Sequence, residues 1–380
     1  MSLRLATTVL AGSAVLAAAC VNVSAQSVHT AGDVRFSVEQ VVGDLSYPWG
    51  FDFLPDGSLL VNEVDGRMLL VSPDGDSRIE VAGVPEVRAS GQGGLLDLVV
   101  APDYGETGTV YFTYSEPGQG GAGTAAARAR LVVADGAARL EDVKVLASMN
   151  RKTSGGRHFG SRIVPAPDGT LFVTLGDRGE EDRAQDPQDH AGSVLRVAAD
   201  GSIPSDNPFA DGAQALPEIW STGHRNIQGA AIEPETGVLW TVEHGARGGD
   251  EINIPQAGKN YGWPVISYGR HYSGLSIGVG TEAEGYEQPV HYWDPSIAPS
   301  GMAFFTGDAV PQWRGDLFVG ALKDQLISRL EVADGKVVSE ERLIAGEYGR
   351  IRTLRNGPDG ALWFSTDEGE GAIYRISGAP

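Results

Sequence analysis

One turn signature, repeated six times, constrains what this chain can fold into more than any other feature. An apolar alternating run enters a glycine turn, and a second alternating run leaves it toward polar residues. The clearest copies are "GFDFLPDGSLLVNE", "GSRIVPAPDGTLFVTLGDRG" and "IRTLRNGPDGALWFSTDEG"; weaker ones are "LLDLVVAPDYGETGTVYFTYSE", "GAAIEPETGVLWTVEHG" and "GMAFFTGDAVPQWRGDLFVGALKD". Proline followed by Asp-Gly between alternating runs is a hairpin signal, because proline presets one dihedral and glycine accepts positive φ. The turn glycines are Gly57, Gly108, Gly169, Gly237, Gly315 and Gly360. Their intervals, roughly 45 to 80 residues, exceed the blade periods of about 40 to 50 in familiar propeller repeats, so several units carry long insertions. The 52 glycines in 380 residues, about twice the usual share, suit many tight turns. A two-sheet sandwich is the competitor, but it rarely repeats one hairpin six times. The expectation is an all-β, six-bladed β-propeller of four-stranded antiparallel blades, forming a single domain over residues 26–380.

Residues 1–25 read as a signal peptide: Arg4, an apolar stretch, then small residues. The chain is therefore expected to be periplasmic or secreted, with cleavage after Ala25 preferred over lipid attachment at Cys20 in "LAAAC". Cys20 is the sole cysteine, so the mature domain has neither an intrachain disulfide nor a thiolate metal cage. No later apolar run reaches the roughly 20 residues of a transmembrane helix. A formal charge of -21 opposes nucleic acid and anionic lipid as partners. Any local basic cluster becomes informative as a site for an anion.

Corresponding positions of successive propeller blades lie on one face, near the axis on inner strands. Counting back from each turn glycine to the start of the preceding run gives Trp49, Gln92, His158, Arg225 with Asn226, Ser300 and Arg350. Counting forward returns the chain to the same end at Glu63, Asp177, Glu243, Lys323 and Asp367. Histidine, acids, arginines and a lysine should thus ring one mouth, the arrangement expected of an active site. A histidine among glycines in "SGGRHFGSRIV" is by itself more often a turn residue than a catalyst; its phase with the arginines favours a functional role. Several arginines aimed at an axis imply either a bound anion or a ring of internal ion pairs with Asp177, Glu243 and Asp367.

Other motifs carry less. "GQGGAG" at Gly118 fits a dinucleotide-binding glycine pattern only formally, without the helix and parallel sheet it needs, and reads as a flexible loop. "SDNPFADG" at Ser205 fits no EF-hand spacing and reads as an Asx turn. No HExxH or GxSxG motif occurs. "EHGARGGDEINIPQAGKNYGWP" joins glycines that free carbonyls to Asp250 and Glu251, and reads equally as a calcium site or a solvated acidic turn.

The segments "PWGFDFLPDG", "GQGGLLDL", "RHFGSRI", "TLGDRG", "STGHRNIQG", "EHGARGGDEIN", "GKNYGWP" and "GRIRTL", in this order between about Tyr47 and Arg375, resemble the soluble quinoprotein glucose dehydrogenases, especially the aldose sugar dehydrogenases. The resemblance implies a six-bladed propeller that binds pyrroloquinoline quinone (PQQ) and calcium and oxidises aldoses at C1 to lactones. By motif, His158 matches the general base and Asp177 the acid that orients it. Gln92, Arg225, Asn226, Lys323, Arg350 and Arg352 match quinone-contacting positions, as does Tyr272 in "RHYSG". The backbone carbonyls of Gly245 and Ala246 match the active-site calcium ligands, with alanine at a position where many relatives carry proline. Glu251 and Tyr261 match ligands of a second, structural calcium.

The residue types agree with that chemistry. Arginines and Lys323 would neutralise the cofactor's carboxylates in an acidic protein. Calcium would polarise the carbonyl that receives hydride, while His158 removes the C1 hydroxyl proton. The glycines beside His158 are expected to leave open space above it. Rival readings are a calcium-dependent lactonase-type propeller hydrolase recruiting Glu63, Glu243 and Asp367, a sorbosone-type aldehyde dehydrogenase, and a non-enzymatic binding propeller. The partners expected are a small-molecule aldose and an electron acceptor, with the protein a monomer or homodimer.

Overall fold

The computed structural model describes residues 26–379; the signal-peptide reading of 1–25, with Cys20, lies outside the described residues. Their backbone is nearly all strand and turn. The helical pieces among them are one four-residue turn, Tyr104–Thr107, and two short 3-10 segments, Glu181–Gln185 and Pro311–Trp313. No helix of the described residues is long and apolar enough to cross a membrane.

The strands form antiparallel four-stranded units in chain order. Residues 163–221, 227–293 and 299–343 each make one four-stranded sheet, and 48–82 and 95–148 make two more, fused by a two-pair parallel contact at Ala138–Val81 and Arg139–Ala82. The last unit is completed from the other end of the chain. Ile351–Asn356, Leu362–Thr366 and Gly371–Gly378 form its first three strands, and Val34–Leu45 pairs antiparallel with Gly371–Gly378 as the fourth, with Ser27–Ala31 outside it. Both ends of the described segment thereby lock into one sheet.

Within every unit the first strand is the innermost. Pro48–Phe53 packs on Leu95–Val100, then on through Ile163–Pro165, Ile227–Ile232, Pro299–Phe304 and Ile351–Asn356, which returns to Pro48–Phe53 and closes the cycle. All six glycines of the turn signature lie between the first and second strands of their units, with φ between 67° and 92°. That left-handed backbone is why glycine recurs there. At Gly108 the connection is not a two-residue turn: the glycine caps Tyr104–Thr107 in the left-handed conformation, its N–H donating to Tyr104 O at 2.7 Å.

Apolar side chains of the alternating runs meet between neighbouring sheets rather than in one central core. Phe51, Val61, Trp363 and Ile373 fill the seam between the first and last units, and Trp240, Phe304 and Val319 fill that between the fourth and fifth. Each such side chain contributes roughly 1.5–3 kcal/mol through burial. The axis itself is polar. Buried Arg162 donates there to Asp97 Oδ1 at 3.0 Å, Gln228 O at 2.7 Å and Thr353 Oγ1 at 3.0 Å, its guanidinium 4.2 Å from the Trp49 ring centroid. One cation therefore ties four sheets together below the mouth.

"GQGGAG", expected to be a flexible loop, is instead a tight hairpin between Thr109–Gly118 and Gly121–Ala134, with Gly118 opposite Gly121. A Cβ on Gly121 would lie 2.1 Å from Thr153 O, so the glycine is required by a neighbouring backbone. In "SDNPFADG" Asp211 does form an Asx turn with Ala213 N at 3.0 Å, while Asp206 and Asn207 hold the guanidinium of Arg196.

Candidate active site

Antiparallel register brings the start of the first strand and the end of the second to one face in each unit. Pro48 pairs with Glu63, Ile227 with Glu243, Pro299 with Ala321 and Ile351 with Thr366. The two series read from the repeat converge there.

His158 is the centre. Its backbone has φ 53°, a left-handed conformation that histidine tolerates better than most residues and that local contacts must hold. Gln92 Oε1 accepts from His158 N at 2.7 Å, and Asn226 Oδ1 accepts from Gly160 N at 3.1 Å. Arg178 buttresses the loop from beneath, donating to the carbonyls of Gly155 and Arg157 with its guanidinium 3.4 Å from the Phe159 ring centroid. Glycines in the neighbouring segments let the backbones approach closely. A Cβ on Gly176 would sit 2.3 Å from His158 O, and one on Gly91 would sit 2.2 Å from Gly156 O.

His158 Nδ1 lies 2.6 Å from Asp177 Oδ1. That oxygen also accepts from Gly179 N at 2.6 Å, and Oδ2 accepts from Trp263 Nε1 at 2.8 Å. Burial pushes the Asp177 carboxyl up, but its hydrogen bonds and His158 outweigh burial and hold it below the usual carboxylate range. Burial, opposed by Asp177 and aided by Arg225, lowers His158 below its ordinary value of 6.5. The result at neutral pH is an ionised acid and a neutral imidazole. Since the carboxylate can only accept, the ring proton sits on Nδ1 and Nε2 carries the free lone pair.

The cations stand around this pair with few carboxylate partners. Asp367 Oδ2 accepts from Arg352 at 2.8 Å and from Arg350 at 3.2 Å, so one charge answers two. Burial raises the Asp367 carboxyl, and the two arginines outweigh it to leave its pKa lowered. Arg225 pairs with no carboxylate; its Nη1 donates to Gly245 O and, at 3.3 Å, to His244 O, and its guanidinium lies 5.1 Å from the Trp263 ring centroid. Buried Arg225 Nε and Arg352 Nε have no hydrogen-bond partner among the described residues. Lys323, over half exposed, donates to Ser296 O at 2.6 Å and pairs with Asp324 Oδ1 at 3.2 Å. His244 is held neutral by burial, its pKa lowered to about 3, with Nε2 donating to Pro299 O.

Several expected members behave differently. Glu63 and Glu243 do not balance the arginines: Glu63 accepts from Ser46 N at 2.6 Å and pairs with Arg67, while Glu243 accepts from Arg225 N at 2.6 Å and His224 Nδ1 at 2.8 Å. Ser300 is a joint between sheets, its Oγ donating to Ile351 O at 2.6 Å. Tyr272 is 76% exposed and makes no hydrogen bond or ring contact among the described residues.

The metal expectations divide as well. The Gly245 and Ala246 loop lies beside the cations, but Gly245 O already accepts from Arg225. Asp250, read as a hard oxygen ligand, is a loop clamp: it accepts from Gly245 N, Ile297 N and Ala298 N at 2.8 to 3.0 Å and from Ser296 Oγ. Glu251 and Tyr261 line one crevice with Glu243, yet the Tyr261 hydroxyl donates to Ile254 O and accepts from Gln256 N instead of facing Glu251. Burial together with Glu243 pushes the Glu251 carboxyl up to about 8. No group of three His, Cys, Asp or Glu side chains suited to a metal occurs among the described residues.

Fold and site thus define an all-β protein of four-stranded sheets that carries a histidine–carboxylate pair among under-neutralised arginines. The description of the Glucose / Sorbosone dehydrogenase family matches residues 45–375, and the chain belongs to that family. It is 42% identical over 351 residues to aldose sugar dehydrogenase YliI of Escherichia coli, covering 91% of this chain and 94% of that one. A solved glucose dehydrogenase superposes with TM-score 0.87 at 45% identity, over 90% of this chain and 99% of that one. The PQQ-bound form of aldose sugar dehydrogenase from Streptomyces coelicolor superposes with TM-score 0.75 at 26% identity, over 93% and 98%.

Proposed function

We propose that this protein is an exported, PQQ- and calcium-dependent aldose dehydrogenase that oxidises sugars at C1 to the lactone, with the six sheet units as the blades of a six-bladed propeller. The observation that carries the reading is the contact of neutral His158 with ionised Asp177, 2.6 Å apart, beside Arg225, which has no carboxylate partner among the described residues, and Arg350 and Arg352, which share one. A base with a dedicated acid partner is surplus to a binding module. The family membership and the PQQ-bound relative support the choice of cofactor.

The residues present fit an anionic, planar cofactor. The unpartnered Nε donors of Arg225 and Arg352, with Lys323 and Arg350, would hold its carboxylates and oxygens, and Gln92 and Asn226 border the same loop. Calcium fits less completely: the loop offers two backbone carbonyls, so most of the six to eight oxygens typical of this ion would come from cofactor and water. When bound, the quinone would supply the two-electron sink and calcium a Lewis acid. His158 Nε2 takes the proton of the C1 hydroxyl. Asp177 accepts from Nδ1 throughout and stabilises the imidazolium that forms, so the base is oriented and its charge is answered at once.

His158→Gln should lower kcat by about 10²–10⁴ while PQQ binding to the apoprotein, followed by fluorescence quenching, stays within a few-fold. Lost quinone binding with turnover otherwise normal would assign His158 to the cofactor instead. Sorbosone-type aldehydes belong in the same substrate panel as glucose, because proton abstraction from an aldehyde hydrate makes the same demand on Nε2.

A further inference from the structure

We propose, on the reading of His158 as base, that Trp263 is a positioning residue: its indole N–H fixes the Asp177 carboxylate and thereby sets both the orientation and the basicity of His158. Trp263 lies in "GKNYGWP", almost ninety residues beyond Asp177, and repeat phase gives it no place in the ring. The indole is 7% exposed and packs with Ala184, Ala246 and Ile277. Its backbone is pinned on both sides, Trp263 N donating to Gly223 O at 2.9 Å and Gln185 Nε2 to Trp263 O at 2.7 Å. Its Nε1 donates to Asp177 Oδ2 at 2.8 Å, the one oxygen that neither His158 nor Gly179 uses. Without it the carboxylate could rotate about its Cβ–Cγ bond; with it, Oδ1 stays aimed at Nδ1. The same ring lies 5.1 Å from the Arg225 guanidinium and shares a buried cluster with Ala246, so base, cation and carbonyl loop meet around one side chain.

The electrostatic consequence has a definite sign. The charged or titratable groups facing His158 and Asp177 are each other, Arg225, Arg157, His244 and Arg178. Trp263 contributes a neutral donor. Removing it leaves more negative charge on Asp177 for the imidazolium to meet, so the His158 pKa should rise.

Trp263→Phe keeps an aromatic ring, though a smaller one, and deletes the donor. In apoprotein, the His158 imidazole followed by NMR should titrate about one pH unit higher than in the unsubstituted protein. After reconstitution, the acid limb of kcat should move upward with it, kcat should fall several-fold more at pH 6 than at pH 8, and the sugar KM should change less than twofold. An unmoved His158 titration, or an effect confined to KM, would overturn the proposal. If the variant does not fold, the indole proton of Trp263 in the unsubstituted protein should shift with pH at the His158 midpoint, and its indifference to pH would be equally fatal. Because the apoprotein titration needs no cofactor, a failure there is distinct from a failure of the dehydrogenase reading.

Discussion

At His158 the chemistry rests on two opposed influences, burial and a buried carboxylate, and burial wins. The folded pKa lies below 6.5, so the imidazole is neutral through the neutral range and deprotonation should not limit activity there. The pH profile of kcat is expected to be flat from pH 7 to 8 and to fall on an acid limb whose midpoint lies below 6.5; a limb centred above 7 would mean that Asp177 dominates. His158 and Asp177 were both legible in the sequence, because repeat phase carries each to the mouth and "GDRG" follows "RHFG" by nineteen positions. Trp263 was not. It enters from a long insertion whose path no periodicity describes, and an indole donor leaves no signature distinct from a core aromatic.

Among the elements, the loops that present the site are held by close backbone approach and by one clamped carboxylate. A methyl group at Gly176 would collide with His158 O, so Gly176→Ala should cost about 1–3 kcal/mol of stability and lower kcat by displacing the histidine loop; thermal unfolding with parallel kinetics reads both. Asp250 is buried, and burial raises its carboxyl even against the hydrogen bonds from Ser296, Gly245, Ala298 and Ile297. Asp250→Asn replaces an acceptor-only group by one that must turn an NH2 toward some of those donors. It should cost about 1–3 kcal/mol, with the loss the same with or without added calcium. A loss seen only with calcium present would restore Asp250 as a metal ligand. The sequence left this segment open between a calcium site and an acidic turn for a physical reason: a carboxylate that clamps backbone N–H groups and one that binds an ion need the same glycine-rich surroundings.

For the whole molecule, the six turn glycines correctly placed every first hairpin, since positive φ at a fixed point in an alternating pattern survives any loop insertion. The closure was not legible. Val34–Leu45 pairs with Gly371–Gly378 across more than three hundred residues, and nothing in a local pattern states which strand completes the last sheet. Two truncations test its weight. Removing the chain through residue 31 takes away only an outer edge strand and should lower the unfolding temperature by a few degrees. Removing it through residue 45 strips the fourth strand from the last sheet, deletes the buried Phe36, Val38, Val42 and Leu45, uncovers their partners Ile373 and Ile376, and should abolish cooperative unfolding. Equal behaviour of the two would show that the closing strand does not hold the molecule together. The under-neutralised arginines of an acidic chain of charge -21 are what the proposed anionic cofactor requires at this scale. The most direct test is therefore reconstitution: purified apoprotein is given PQQ and calcium, and reduction of an artificial dye is followed with glucose and a panel of aldoses. Dye reduction that requires quinone and sugar together, with lactone as product, is the predicted result; no reduction with any aldose or aldehyde, although the quinone binds, would contradict the account.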